Sequence, residues 1–368
     1  MISVFGSDMT AKEIAATSEV LMSQWTGFGS KVSEFEHELM KARNLPNMTM
    51  VDSGSNALYM AVKLLNLPPN SEIILPSFTW VSCAQAVLLA GCVPVFCDVD
   101  HETMNVRAED IAPLITSKTK AVMVVHYAGL PVEMESILAL GIPVIEDAAH
   151  AIASDVNGRA CGTMGEIGIY SFDSVKNLAV GEGGGLVATN DEIANRAKKL
   201  RYCGIGKSGF DAAATSSNGR WWEYDISEPF IKMLPTNIAA AIGLVQLERL
   251  SELQSRREEI WNYYNAVFDS ADNIKTPVSA PLGSSHSYFT YCLRIPRRDE
   301  LAKYLLANNV YSTLRYHPLH LNSIYQQTDR RLENSEKLNE EALSIPLHPR
   351  MTVLEVETVA HLILEFYR

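Results

Sequence analysis

No apolar run in the 368-residue chain approaches the ~20 residues that a helix needs to cross a bilayer. The first eight residues also lack the basic start and apolar segment of a secretory signal peptide, so none is predicted. Acidic side chains outnumber basic ones, and the net charge is −12. That balance argues against a general nucleic-acid-binding protein, although backbone amides can still build a local anion site. We therefore expect neither a membrane nor a nucleic acid as a partner.

Cysteine is present but lacks the spacing of a metal or disulfide site. The six cysteines are scattered and none forms a C-x-x-C pair. Zinc spacing is missing as well, so we predict no metal and no disulfide framework. A reducing cytoplasm is the compartment that fits this pattern. No G-x-G-x-x-G follows an early strand, which argues against a nicotinamide-dependent oxidoreductase.

Between about residues 50 and 190, apolar strands alternate with helical stretches. Continuous apolar runs at 121–125 and 143–145 are typical of buried parallel strands. This alternation predicts an α/β fold, with a mostly parallel central sheet covered by helices on both faces. Sheets of this kind place their chemistry beyond the carboxyl ends of the strands.

The rest of the chain predicts a second, smaller unit. A Gly/Ser/Ala-rich loop over 204–220 precedes a long helical region over 237–268, for which an interruption stays open. Further elements are expected as a strand over 288–295, a helix over 299–308, a strand over 310–314 and a helix over 353–366. We predict a large domain of residues 1–248 and a small α+β domain of residues 249–368.

The most informative segment runs from a short strand at 167–172 to the glycines at 181–185. Ser171 and Lys176 lie between them, five residues apart. A lysine that forms a Schiff base needs a fixed, partly desolvated position, since only the neutral amine attacks a carbonyl. Glycines let the backbone turn tightly and approach a bound group closely. The alternative is a solvated lysine in a surface loop.

Two earlier segments carry residues suited to a phosphorylated, flat cofactor. Small and hydroxyl residues at 53–58, with Ser55 and Asn56 among them, open a predicted helix. Free N–H groups and the helix dipole at such an end favour a phosphate, although an ordinary Ser/Asn cap is the alternative. Trp80 follows a strand and can stack on a ring, or it can pack in the core.

A carboxylate and a histidine follow another strand, at 144–150. Asp147 lies at its end and can keep a pyridine nitrogen protonated, so that the ring withdraws electrons. The alternative is a carboxylate that caps the next helix. His150 can contact the ring hydroxyl or be an ordinary buried histidine. Together and in this order, the four groups indicate pyridoxal 5'-phosphate chemistry.

These segments resemble the DegT–DnrJ–StrS family of nucleotide-sugar aminotransferases over nearly the whole chain. The string S-F-x-x-x-K-x-x-x-x-G-E-G-G, from Ser171 to Gly184, is highly specific. The resemblance extends to 25–29, 237–247, 316–320 and 342–347. It implies a type I pyridoxal-phosphate fold, of the aspartate aminotransferase type, and a homodimer with active sites at the subunit interface. It assigns the Schiff base to Lys176, the ring nitrogen to Asp147, ring stacking to Trp80, the ring-hydroxyl side to His150, and the phosphate to Ser55, Asn56 and Ser171.

Two details bear on the subtype. Some members of the family carry histidine in place of the lysine and are dehydratases, so Lys176 favours transamination. Leu234 stands where many members have an asparagine that reaches the neighbouring subunit's phosphate, which leaves that contact open. A leucine there, and the segment 126–129, resemble the dTDP-4-amino-4,6-dideoxygalactose transaminase branch.

The resemblance implies an amino acid, L-glutamate, as donor and a nucleotide-linked 4-keto-6-deoxyhexose as acceptor. The nucleotide is left open among dTDP, UDP and GDP. Alternatives are a 3-keto-sugar or cyclitol aminotransferase with the same cofactor site, or a cofactor-binding sensor without turnover. Basic and hydrogen-bonding candidates for the diphosphate, each of which can equally be a solvated surface group, are Lys207, Arg220, Lys232, Arg315 and His320.

Overall fold

A seven-stranded sheet lies at the centre of the computed structural model, which describes residues 1–206, 220, 222–325, 327 and 330–368. Its strands, with those of two smaller sheets, are β1 Thr49–Val51, β2 Glu72–Pro76, β3 Val93–Cys97, β4 Thr119–Val125, β5 Val144–Asp147, β6 Asp155–Val156, β7 Arg159–Ala160, β8 Ile167–Ser171, β9 Gly184–Ala188, β10 Ser284–Ser285, β11 Tyr291–Arg294 and β12 Ala342–Ile345. The α-helices are α1 Ala11–Met22, α2 Ser30–Arg43, α3 Gly54–Leu64, α4 Val81–Leu89, α5 Ala108–Ile111, α6 Met134–Leu138, α7 Asp191–Leu200, α8 Asn237–Glu248, α9 Leu250–Phe268, α10 Arg298–Ala307, α11 Glu333–Glu341 and α12 Val353–Phe366.

The order of the central sheet is β1-β9-β8-β5-β4-β2-β3. Only β9 runs against the others among the described strands, since it pairs antiparallel with both β1 and β8. Val125 of β4 pairs with Asp147 of β5, and Asp147 pairs with Ile169 of β8. The carboxyl ends of these three strands therefore lie side by side, where such sheets place their sites. This sheet confirms the predicted α/β class.

Side chains of β4 alternate between two cores. Ala121 and Met123 pack with the cluster that holds α3, α4 and α7, whereas Val122 and Val124 pack with the cluster under α5 and α6. Successive residues of a strand point to opposite faces, so a strand with apolar residues at every position needs cover on both sides. The predicted helices on both faces are confirmed.

The C-terminal part builds its own apolar core around a two-stranded sheet. Strands β11 and β12 pair antiparallel, and α9, α10 and α12 pack on them. The predicted helical region 237–268 is two helices joined at Arg249, whose guanidinium binds Glu13 at 2.9 Å. Ile2 packs against this core as well, so the chain start and the C-terminal part are in contact. The division into residues 1–248 and 249–368 stays a prediction.

The predicted strand over 310–314 is wrong. Its residues form only isolated bridges, Val310 with Ile2 and Thr313 with Ser344. The segment therefore contacts two different partners once each instead of pairing continuously with one strand. The following residues, 313–316, reach the central sheet.

All six cysteines are free thiols, and five of them are buried. In the described ranges, no group of three or more His, Cys, Asp or Glu side chains is placed to hold a metal ion. Across the same ranges, no helix combines the length and the hydropathy required to cross a membrane.

Candidate active site

A cavity of about 310 Å³ opens beyond the carboxyl ends of β4, β5 and β8. Its size is in the range of small-molecule sites in proteins. The N-terminus of α3 closes one part of it, and residues 313–316 of the C-terminal part close another. The predicted cofactor residues that line it are Ser55, Trp80, Asp147, His150, Ser171 and Lys176.

The N-terminus of α3 supplies a polar edge. Ser53 caps the helix and accepts a hydrogen bond from the Asn56 backbone N–H at 3.2 Å. Ser55 is exposed to the cavity, and its hydroxyl lies 2.7 Å from that of Ser82. The Asn56 side chain instead donates to Asp52 at 2.7 Å and does not line the cavity. Asn56 therefore contributes through its backbone in this arrangement, whereas Ser55 presents a hydroxyl.

Glycine is required where α3 meets β8. A Cβ atom on Gly54 would lie 2.8 Å from the Ser171 Cβ and 3.0 Å from its hydroxyl. Only a residue without a side chain lets the helix N-terminus approach Ser171 this closely. The hydroxyls of Ser55 and Ser171 consequently line one cavity.

Gly54→Ala should therefore lower the free energy of unfolding by about 1–3 kcal/mol, the cost of overpacking a tight contact. Urea unfolding monitored by circular dichroism measures this loss. Gly27→Ala is the matched control, since a Cβ there meets nothing within 4 Å. Equal stability of the two variants would contradict the close packing at Gly54.

Lys176 is half-buried, and its Nζ lies 4.6 Å from the centre of the Phe289 ring. Burial, and then the positive charge of Arg315, lower the pKa of Lys176 to about 8, although Asp147 and Asp173 act in the opposite direction. No ion pair to Lys176 is present in the described part of the chain. The amine is therefore neutral in a far larger fraction than that of a solvated lysine. This excludes the alternative of a solvated surface lysine.

Asp147 ends β5 and is 4% exposed. Its Oδ1 accepts from the Ala149 N–H at 3.0 Å, and its Oδ2 accepts from the Cys83 thiol at 3.2 Å. Burial raises the pKa of Cys83 well above its ordinary value, so the thiol keeps its proton and remains a donor. Since no α-helix follows within the next residues, the carboxylate is not a helix cap.

His150 holds an unfilled hydrogen-bond donor. Its Nε2 lies 3.1 Å from the Tyr316 hydroxyl, which itself accepts from Arg315 at 3.2 Å. The Tyr316 proton therefore points to Nε2, and the ring proton of His150 is on Nδ1, which is buried without a partner. Burial, then Lys176 and Arg315, hold the pKa of His150 well below its usual range, so the ring is neutral. Phe289 stacks on it at 4.0 Å.

Trp80 presents its indole to the cavity rather than to the core. The residue is 53% exposed, and its ring centre lies 5.5 Å from that of Tyr316. An exposed aromatic face at the mouth of a polar cavity is suited to stacking on a flat ring. The alternative of an ordinary core tryptophan is excluded.

The structure separates the five predicted diphosphate residues. Arg315 lines the cavity, but Arg220 is exposed and paired with Glu223, and Lys232 is exposed outside it. Lys207 lies outside the described residues. His320 is fully buried, 2.6 Å from the Ser77 hydroxyl, which corrects its prediction as a substrate contact.

Three residues that contact the predicted cofactor residues were not expected from the sequence, namely Phe289, Cys83 and Tyr316. Phe289 and Tyr316 lie far along the chain from the motifs they touch, and the resemblance at 316–320 gives Tyr316 no role in the site. Cys83 lies in the first turn of α4, three residues after Trp80, which is the N-cap of that helix. Residues three apart on a helix are neighbours, so Cys83 lies close to Trp80. That spacing is the one signal that could have associated the thiol with the site.

Comparison with known proteins agrees with this geometry. The sequence profile of the DegT/DnrJ/EryC1/StrS aminotransferase family matches residues 7–364. The dTDP-4-dehydro-2,3,6-trideoxy-D-glucose 4-aminotransferase of Saccharopolyspora spinosa is 37% identical over 98% of this chain and 95% of its own. The aminotransferase TlmJ from Streptoalloteichus hindustanus has a TM-score of 0.92 at 37% identity, covering 99% of this chain and 98% of that one.

A solved structure of Spr1654 from Streptococcus pneumoniae in a PMP form is also similar, with a TM-score of 0.91 at 26% identity. The match covers 98% of this chain and 98% of that one. Profile, relatives and structures all extend over nearly the full length, so the similarity is not confined to one motif. The chain therefore belongs to the DegT/DnrJ/EryC1/StrS aminotransferase family, and it is a sugar aminotransferase.

Proposed function

We propose that this enzyme moves an amino group from L-glutamate to a nucleotide-linked 4-keto-6-deoxyhexose, with pyridoxal 5'-phosphate held in the cavity. The observation that carries the proposal is that one cavity holds both a lysine of lowered pKa, Lys176, and a buried carboxylate, Asp147. The PMP form of Spr1654 supports the cofactor, and the 4-aminotransferase of S. spinosa supports the keto position.

The cavity residues fit this cofactor. His150 has a buried N–H without a partner, suited to a ring oxygen. The N-terminus of α3 with Ser55 and Ser171 suits a phosphate, and the exposed Trp80 indole suits the ring face. Asp147 offers a carboxylate for the ring nitrogen. When bound, pyridoxal phosphate supplies an aldehyde that condenses with amines and a ring that withdraws electrons from the adjacent carbon.

The chain's own residues supply binding and proton transfer. Lys176, with its lowered pKa, can accept the proton from the α-carbon of the amino donor and later return one to the carbon that gains nitrogen. Asp147 provides a fixed negative charge in a buried place, where it needs no reorganisation during the reaction. Donor and acceptor bind in turn, so ping-pong kinetics are expected.

A half-reaction tests the proposal. Mixing the pyridoxal-phosphate-loaded protein with L-glutamate should change its absorbance and release one equivalent of 2-oxoglutarate per site. A sensor without turnover would release none. A panel of nucleotide 4-keto and 3-keto sugars and a cyclitol ketone, followed by mass spectrometry, then identifies the acceptor. A product from the 3-keto or cyclitol compounds alone would refute the proposed 4-keto acceptor.

The pH dependence of cofactor capture follows from Lys176. With a pKa of about 8, about one tenth of the amine is neutral at pH 7. The rate at which apoprotein captures pyridoxal phosphate should therefore rise with pH, reach half its maximum near pH 8 and then level off. Stopped-flow absorbance measures this rate. A rise that continued to the ordinary lysine value, 10.5, would contradict the desolvated amine.

Homodimer formation with shared active sites is part of the same proposal. Three large apolar side chains in the segment that precedes Lys232 are exposed, namely Tyr224, Ile226 and Ile231. Such a group of exposed apolar side chains is typical of an interaction surface. Leu234 lies in the same segment, at the position where many members of the family have an asparagine. The six free thiols support the proposed cytoplasmic location.

Ile231→Glu should shift the protein from dimer to monomer and lower amino transfer in parallel, because a charge is placed in an apolar contact. Light scattering with activity at the same concentrations measures both. Leu354→Glu, at a site on α12 that is more exposed than Ile231, is the control and should remain dimeric. A fully active Ile231→Glu monomer would refute shared sites.

A further inference from the structure

Cys83 is a buried thiol behind the wall of the cavity. It is 0% exposed and packs in the apolar cluster that holds α3, α4 and α7, and it does not line the cavity itself. Its Sγ lies 3.2 Å from Oδ2 of Asp147, which does line the cavity. A cysteine is small and apolar enough for a core and still carries a weak S–H donor. Cys83 therefore contacts the cavity carboxylate from within the core.

The neighbours of the thiol fix the direction of its hydrogen bond. Burial, and then the charge of Asp147, raise the pKa of Cys83 well above its ordinary value, so Sγ keeps its proton. An ionised carboxylate only accepts, so this proton points to Oδ2. The Thr79 Oγ1 lies 3.4 Å from Sγ, and its hydroxyl therefore donates to the sulfur. The two bonds form a chain from Thr79 through Cys83 to Asp147, in which each bond polarises the next.

Asp147 depends on this thiol for the position of one of its two oxygens. Oδ1 accepts from the Ala149 N–H at 3.0 Å, whereas Oδ2 accepts from Cys83. Among the described residues, no cation forms a salt bridge with the carboxylate. The last torsion of an aspartate side chain is broad, so a single donor restrains the carboxylate poorly. A donor on each oxygen holds it in one orientation.

We propose that Cys83 is a positioning residue, whose thiol holds the Asp147 carboxylate in one orientation for its contact with the cofactor's ring nitrogen. Serine would reach less far towards Oδ2, because a C–O bond is shorter than a C–S bond. Alanine would leave Oδ2 as a buried acceptor without a donor, which is costly. The inference rests on the proposed role of Asp147, and it gives a core thiol a part in the reaction.

Infrared spectroscopy of the apoprotein tests the thiol bond without cofactor or turnover. Subtracting the spectrum of Cys83→Ala from that of the wild type isolates the S–H stretch of Cys83. A hydrogen bond to a carboxylate lowers this frequency, so the band should lie below that of Cys92. Cys92 is a buried thiol of the same cluster, with no carboxylate partner in the described part of the chain.

Asp147→Asn should raise the frequency of the Cys83 band, because a neutral amide accepts a hydrogen bond less strongly than a carboxylate. A band that Asp147→Asn left unmoved would overturn the inference.

Cofactor binding and the half-reaction measure what the bond does. Cys83→Ala should bind pyridoxal phosphate on the order of 10-fold more weakly, as expected for a lost hydrogen bond to a charged group, and should slow the half-reaction with L-glutamate by a similar factor. Cys83→Ser, which keeps a donor at a longer distance, should recover part of both losses. Cys92→Ala is the matched control and should retain both properties. Fluorescence titration of the apoprotein and stopped-flow absorbance measure them.

A double-mutant cycle separates positioning from packing. If the thiol acts through the carboxylate, Cys83→Ala should change the half-reaction less than about twofold in the Asp147→Asn background. A residue that only fills space would lose the same factor in both backgrounds, and that result would overturn the inference.

Failure of this inference differs from failure of the proposed function. A protein whose Cys83 band moves with Asp147→Asn, and whose cofactor affinity falls in Cys83→Ala, would keep the positioning role even if it released no 2-oxoglutarate from L-glutamate. The proposed donor reaction would then be wrong. Full turnover with an unmoved band would instead keep the proposed function and remove the positioning role.

Discussion

Lys176→Ala is expected to lower amino transfer on the order of 10⁴-fold, the upper end of what a positioned proton-transfer group supplies. The variant should fold normally, because the side chain forms no ion pair in the described part of the chain. It should also lose the yellow colour and the borohydride-stable pyridoxyl adduct that the wild type shows. Circular dichroism, absorbance and peptide mass spectrometry after borohydride measure the three properties.

Lys31→Ala is the matched control for this experiment. Lys31 is partly exposed on α2, pairs with Glu34 at 2.8 Å and does not line the cavity. It should retain colour, adduct and turnover. An undiminished adduct in Lys176→Ala would assign the covalent contact to another lysine.

Asp147→Asn is expected to lower kcat by about 10²–10³, or about 3–4 kcal/mol at the transition state. Asparagine keeps the shape and can still accept from the Ala149 N–H, so the loss reflects the missing charge. Without that charge, the ring nitrogen of the bound cofactor holds its proton less strongly. Single-turnover kinetics with saturating cofactor separate this effect from weaker cofactor binding.

Asp173→Asn is a matched comparison, since it removes a carboxylate from the same cavity. Asp173 also raises the pKa of Lys176, so its loss should lower that pKa and change the rate by less than about tenfold. Near-wild-type turnover in Asp147→Asn, with normal cofactor occupancy, would assign the ring-nitrogen role to another residue.

The elements that place the site could be predicted because they follow from local patterns. Apolar runs at 121–125 and 143–145 gave β4 and β5, and the register of parallel strands then puts Asp147 beside the ends of β4 and β8. The apolar residues at 167–172, before Lys176, likewise predicted a strand, and β8 forms there. A site built at strand ends can therefore be inferred from sequence when each strand carries its own signal.

Contacts between distant segments could not be predicted. Phe289 approaches Lys176 and His150 from more than a hundred residues along the chain, and only folding joins them. The predicted strand at 310–314 failed for the same reason, since its partners Ile2 and Ser344 are far apart in sequence. Charge alone was also a poor guide, because His320 is buried against Ser77 while Arg315 reaches the cavity.

The central claim is that nitrogen passes from an amino acid to a sugar nucleotide at Lys176. Its most direct test incubates the loaded enzyme with ¹⁵N-labelled L-glutamate and dTDP-4-keto-6-deoxyglucose, then measures the mass of the sugar nucleotide. The predicted result is an amino sugar nucleotide carrying the ¹⁵N label in the wild type, and none with Lys176→Ala. An unlabelled sugar nucleotide in the wild type, or labelled product from Lys176→Ala at a wild-type rate, would contradict the account.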